Sequence, residues 1–284
     1  MIENDHKSQG AAFGMRGIVK RVLPHIILCA FSLMILMPLL WILRVSFTDR
    51  LTAYKIPPEI GTLGLMNYFD IFARFSFVTW FANSFLIALA ATAISLPLAA
   101  ALAYAFARFN TGGTALRLGV LASQMLPPII LVLPLFGMFL MAGLMQSRWA
   151  LVIAHLTIAL PFLSWMLVSF FEGDVARLEE AARVDGASRW QAFRHIAVPV
   201  AAPGILAAGL LGFILSWNEF LFALVLSGPA TQTLPVGLAG LETHAGVEIA
   251  PLAAATVVSL LPIFVLLPFL RRHLIKGLSL GALK

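Results

Sequence analysis

Glu219 stands apart among the 13 acidic residues of the chain, because it alone sits inside an apolar run, Ser216-Trp-Asn-Glu-Phe-Leu-Phe222. An ionisable side chain in such surroundings is costly, so it faces either protein or a water-filled cavity. Three roles fit it: a cavity group, a hydrogen bond to another helix, or part of a gate. Asn83, Gln124 and His155 are polar insertions in other apolar runs, and each reads first as a link between helices. His155 has no companion ligand, since His25 and His195 lie in other segments, so no metal site is expected. No His-Glu-x-x-His run and no nucleophile–base constellation points to hydrolysis. No Gly-x-x-x-x-Gly-Lys-Ser/Thr occurs, so the chain cannot cradle ATP phosphates by that route. The chain is read as non-enzymatic, with no catalytic residue and no cofactor of its own.

A second patterned segment, Phe171 to Ala202, carries charges at helical spacing. Asp174 can cap a first short helix, and Glu179 and Arg183 form an i,i+4 pair on its exposed side. Gly186 falls where a left-handed residue ends that helix. Ser188 and Gln191 spell the capping box of a second helix, which Pro199 closes. Trp190, Phe193 and Ala197 make its apolar face. Ala181 and Ala182 on the first helix let a partner approach closely, and Glu180 can meet a cation there. Two caps and an aromatic face describe a docking device.

The elements that must position these residues are membrane helices. The chain is 61% apolar and only 11% charged, with a mean hydropathy of +0.95. A soluble domain is nearer half apolar and a quarter charged. Cys29 is the single cysteine and has no disulfide partner within the chain. Six runs reach the ~20 residues that a bilayer requires: 26–43, 81–107, 116–144, 149–170, 203–226 and 251–270. The first is not a signal peptide, because its apolar residues continue to Arg44 with no cleavage site. Fourteen of the 19 basic residues fall on the side of the N-terminus, the second and fourth loops and the C-terminus. Both termini are therefore expected in the cytoplasm. The basic residues track loops rather than one patch, so no nucleic-acid partner is expected.

The expected fold is all-α, a polytopic membrane protein of six transmembrane helices. Residues 1–24 form a loose cytoplasmic lead, and 25–77 hold the first span and an external segment. Residues 79–271 hold the remaining spans and the 172–200 loop, and 272–284 form a cytoplasmic tail. Lys55-Ile-Pro-Pro-Glu should be irregular, and Phe69, Phe72 and Phe75, three apart, predict an amphipathic helix at the outer interface. Met125-Leu-Pro-Pro-Ile must break the third run, and Pro97 and Pro161 should kink the second and fourth. Bent helices suit a moving bundle.

Glu180-Ala181-Ala182, Gly186 and Ile196-x-Val198-Pro199 resemble the EAA loop of binding-protein-dependent ABC importer permeases. Val198 stands where that pattern has leucine. Asn83-Ser84, the Trp217-Asn218-Glu219 segment and the tail Gly277-Leu-Ser-Leu-Gly-Ala-Leu-Lys284 are similar to the carbohydrate branch, in particular its MalG-like subunit. The resemblance implies a type I importer with the MetI-like permease fold in the bacterial inner (plasma) membrane. It implies a second, MalF-like permease, two ATP-binding subunits that hold ATP and Mg, and a periplasmic or extracellular substrate-binding protein. It makes Glu180, Ala181, Ala182, Asp185, Gly186, Ser188, Trp190, Phe193 and Pro199 the ATPase-coupling loop, and a sugar or sugar derivative the cargo. Asn83, Gln124, Trp217, Asn218 and Glu219 are the candidates for the translocation path. The competing reading is an ion-coupled secondary transporter with Glu219 as its coupling group; a membrane-embedded enzyme is a third.

Overall fold

The computed structural model describes residues 5–55, 61–109, 111–243 and 246–281. Helices α1 (Asp5–Phe47), α2 (Arg50–Ala53) and α3 (Met66–Arg74) come first. Residues 5–24 of the lead expected to be loose lie in the α1 helix. Gly10 and Gly14 each cost about 1 kcal/mol against alanine, too little to stop it. The Pro57-Pro58 stretch lies outside the described residues. The α3 helix carries Phe69 and Phe72 outward and buries Asn67 and Ile71, the amphipathic pattern expected of it. Asn67 donates to the carbonyls of Ser46 and Thr48 at 2.9 and 2.8 Å, tying α3 to the end of α1.

The remaining helices are α4 (Phe77–Phe109), α5 (Gly113–Met125), α6 (Pro128–Met141), α7 (Arg148–Phe171), α8 (Asp174–Val184), α9 (Arg189–Ala192), α10 (Val198–Trp217), α11 (Leu221–Leu226), α12 (Leu234–Ala239) and α13 (Ile249–Gly281). A two-residue antiparallel pair, β1 (Glu242–Thr243) and β2 (Gly246–Val247), precedes α13. The α13 helix runs through most of the expected tail. Among the described residues five helices are long and apolar enough to cross a membrane, and α5 with α6, a pair bent by 94°, brings the total to six when taken as one broken span. The bend has a local cause. Pro127 bars Leu126 from the helical region and Pro128 does the same to Pro127, so both are extended, at ψ 125° and 131°. Pro128 then starts α6, where its missing N–H costs nothing.

Two compact units divide the described residues: Met1–Phe69 with Ile249–Val257, and Asp70–Glu248 with Val258–Lys284. The second is built on α4, α7 and α10. Ala99, Ala100 and Ala103 of α4 meet Leu163, Leu167 and Phe171 of α7 and Ala201 and Ala208 of α10 in one core cluster. Small residues let helix backbones approach where apolar burial gives little drive. Gly204 shows the tolerance: a Cβ there would stand 2.3 Å from the Phe170 ring.

The fifth apolar run, expected as continuous to 226, ends as a helix at Trp217 and resumes at Leu221. Asn218, Glu219 and Phe220 therefore occupy a break rather than a helix interior.

Candidate functional site

Two constellations carry the residues singled out above. In the 172–200 loop, Gly173 at φ +70° precedes α8 and takes the N-cap position expected of Asp174, which is instead the first helical residue. At the other end, Gly186 lies at φ +92°. Its N–H donates to the Arg183 carbonyl at 3.1 Å, and the Ala187 N–H to the Ala182 carbonyl at 3.0 Å. These two bonds are the Schellman closure, which requires a left-handed residue at this point. Ser188 follows at once. The Gln191 N–H donates to its Oγ at 3.3 Å, while the Ser188 N–H donates to Gln191 Oε1 at 2.8 Å, completing the capping box.

The second loop helix does not end at Pro199, as expected. Residues Phe193–Ala197 form a π turn that passes directly into α10, and Pro199 sits in the first turn of α10. A proline ring clashes with the carbonyl four residues earlier and supplies no N–H; an inserted π turn relieves both conflicts without ending the helix. Arg189 to Trp217 is thus one helical rod. Any displacement of α9 must travel into the span it continues.

The polar contacts of α8 correct the sequence reading. Glu179 makes no exposed pair with Arg183; it is 1% exposed and points into the bundle. Its Oε1 accepts from the Tyr104 hydroxyl at 2.7 Å and its Oε2 from Arg108 Nε at 2.7 Å. Arg108 Nη2 also reaches Glu180 Oε1 at 3.1 Å, so Glu180, itself exposed, already meets a cation of its own chain. The Tyr104 ring lies 4.7 Å from that of Phe193 and 5.7 Å from that of Phe171. Phe193 therefore faces the bundle. Trp190 remains 65% exposed, and Leu178 and Val184 are exposed beside Ala181, Ala182 and Asp185. Sequence reasoning missed Tyr104 and Arg108. The available signal was a pair of i,i+4 faces, Tyr104/Arg108 on α4 and Val175/Glu179 on α8, each with one aromatic or apolar and one charged member.

The second constellation surrounds the break after α10. Glu219 is buried; its Oε1 accepts the Phe222 N–H at 2.8 Å and its Oε2 the Ala223 N–H at 3.2 Å. It thereby satisfies two of the orphan donors that open α11. His155 Nε2 stands 3.3 Å from Glu219 Oε2 without the alignment of a hydrogen bond, and its Nδ1 lies 2.6 Å from Ser216 Oγ. Trp217 is buried, stacked on Phe213 at 5.8 Å and edge-on to Phe81 at 5.2 Å. Asn218 is exposed and donates to the Ile214 carbonyl at 2.8 Å, and Phe220 is exposed. Gln124 of α5 is half-buried and belongs to neither constellation. The 20 residues of α10 rise about 30 Å, a full hydrocarbon core. The break therefore stands toward the end of the span opposite the loop.

Near that end, Asn83 is wholly buried and fully bonded. Its Nδ2 donates to the carbonyls of Ala230 and Gln232 at 3.0 and 2.9 Å, and Arg148 Nε donates to its Oδ1 at 2.8 Å. Ser84 Oγ accepts the Leu234 N–H at 2.7 Å. The Asn83-Ser84 pair so pins the 228–234 segment to α4. Among the described residues no cluster of His, Cys, Asp and Glu could hold a metal.

Comparison with known proteins supplies the context. The family described as "Binding-protein-dependent transport system inner membrane component" matches residues 95–280. The sulfoquinovosyl glycerol transport system permease SmoH of Agrobacterium fabrum is 36% identical over 88% of this chain and 89% of its own. The trehalose transport system permease SugB of Mycobacterium tuberculosis is 37% identical over 88% and 92%. The trehalose/maltose transport system permease MalG of Thermococcus litoralis is 31% identical over 94% and 98%. A chain of a bacterial ABC transporter involved in the import of alginate shares the fold, with a TM-score of 0.72 at 23% identity over 91% of this chain and 96% of that one.

Proposed function

The chain belongs to the family of binding-protein-dependent transport system inner membrane components, and from that membership we propose that it is one permease half of an ATP-driven sugar importer. The observation that carries the coupling half of this reading is the closed α8–α9 unit. A Schellman closure and a capping box fix two short helices against each other, while Leu178, Val184 and Trp190 stay uncovered. Apolar side chains exposed on a rigid, charged loop mark a docking surface. Its occupant is an ATP-binding subunit, two of which hold the ATP and Mg of the assembly; Glu180, Ala181, Ala182, Asp185, Gly186 and Ser188 shape the contact. A second, MalF-like permease completes the path, and a substrate-binding protein delivers the cargo from outside.

The loop and both termini face the cytoplasm, in keeping with the basic residues on that side. A sugar or sugar derivative is the cargo class, supported by the substrates named for SmoH, SugB and MalG. Asn218 and Phe220 are the side chains turned out at the break, an amide and a ring suited to hydroxyls and to the apolar face of a sugar, and they line the path. Glu219, with both oxygens committed to backbone donors, shapes the break instead of carrying an ion.

The reading is tested by reconstituting the permease pair with its ATP-binding subunits in proteoliposomes. Uptake of a labelled sugar should require ATP and the binding protein, stop with vanadate, and survive an uncoupler. Uptake that collapses with the uncoupler alone would establish the ion-coupled transporter.

A further inference from the structure

The loop helix α8 packs against its neighbours in sequence and is tied in addition to α4, through a chain of charges. Glu179 is buried between Tyr104 and Arg108, and Arg108 then spans to Glu180 at the exposed surface, 3.1 Å away. Arg108 also approaches the Ala176 carbonyl at 3.4 Å. Its side chain is 16% exposed, Glu179's 2% and Glu180's 68%, so the chain runs from dry interior to solvent. We propose that Tyr104, Glu179, Arg108 and Glu180 form a relay that carries the ATPase contact into α4, with Arg108 as its positioning residue. The proposal rests on the docking reading above.

The physical case is the asymmetry of the two carboxylates. Glu179 is committed: it accepts from two donors in a site that water does not reach, where a charge-assisted bond holds position strongly. Among the described residues Glu180 has only Oε1 engaged, which leaves Oε2 for a cation brought by a partner. A basic group docking there shares Glu180 with Arg108, weakens the Arg108–Glu180 pair, and changes the balance of forces on the guanidinium that fixes Glu179. The docking event is thereby felt at Tyr104 and Arg108, one helical turn apart on α4. A purely covalent route would run only through α7 and through the α9–α10 rod. The relay adds α4, which packs against both.

The test must separate a relay from a mere structural pair. Replacing both members of a buried ion pair by apolar residues of similar size commonly preserves stability, whereas removing one leaves a charge stranded. The double variant Arg108→Met/Glu179→Met should therefore assemble with the second permease and the ATP-binding subunits in normal yield. Its binding-protein-stimulated ATP hydrolysis should fall at least about tenfold toward the unstimulated rate, and adding Glu180→Gln should cost much less there than it does in the wild type, because the two sites are coupled. Full stimulation in the double variant would overturn the relay, as would an additive effect of Glu180→Gln. The wild-type complex in the same preparation keeps the two readings distinct. Wild type that couples beside a double variant that couples equally defeats the relay alone, while wild type without ATP-dependent uptake defeats the importer reading.

Discussion

Gly186→Val should abolish binding-protein-stimulated ATP hydrolysis and sugar uptake while leaving the chain inserted in the membrane. At φ +92° a β-branched residue is in a region it rarely adopts, at a cost of about 1–2 kcal/mol. Nothing lies within 4 Å of an added Cβ, so that atom meets no clash and its cost comes from the backbone conformation. The chain relieves that strain by opening the Schellman closure, which frees α8 from α9. The bundle behind it is packed through α4, α7 and α10 and does not depend on the turn. Gly186→Ala should act in the same direction and less severely. Glu180→Lys should be as severe as the valine variant by another route, since it presents a like charge both to Arg108 and to any basic partner. Insertion is checked by membrane fractionation and coupling by the hydrolysis and uptake assays; normal coupling in Gly186→Val would remove the turn from the mechanism.

Glu219→Ala should prevent the assembled complex from accumulating. The change strands the Phe222 and Ala223 N–H groups and leaves His155 without its carboxylate, in a buried site. Each unmet buried donor costs about 1–3 kcal/mol, so the two together cost about 2–6 kcal/mol, a large share of the roughly 5–15 kcal/mol that holds a domain folded. Glu219→Gln keeps one oxygen to accept a backbone N–H, so it should assemble and retain ATP-driven uptake at a reduced level. Yield of the complex by size-exclusion chromatography separates the two variants. A Glu219→Gln complex that assembles fully yet transports nothing would make the carboxylate part of the path.

Much of the fold was legible because bilayer physics leaves few choices. Apolar runs of about 20 residues became helices, and Pro127-Pro128 dictated where the third would bend. The loop's turn was equally plain, since Gly186, Ser188 and Gln191 act through bonds to residues within four positions in sequence. What failed was whatever depended on distant neighbours. Glu179 looked like the first half of an exposed i,i+4 pair, because local spacing cannot reveal that Tyr104 and Arg108 wait across the bundle. Pro199 looked like a terminator, because its usual conflict with the preceding turn is evident in sequence and the π turn that absorbs it is not. Glu219 looked embedded in a helix, because hydropathy continues smoothly across a break that the carboxylate itself caps. Asn83 showed its polarity but not that its amide would be spent on the carbonyls of Ala230 and Gln232.

The most direct test of the account places a photo-cross-linking amino acid at Trp190 in the assembled complex, with a second variant carrying it at Thr231. Trp190 is the large exposed ring of the α8–α9 unit, and Thr231 lies in the segment pinned at the opposite end of the span. Illumination should join the Trp190 variant to an ATP-binding subunit, with a yield that changes when ATP is added, and should never join the Thr231 variant to that subunit. An adduct between Thr231 and the ATP-binding subunit, or a Trp190 variant that captures only lipid, would contradict the account.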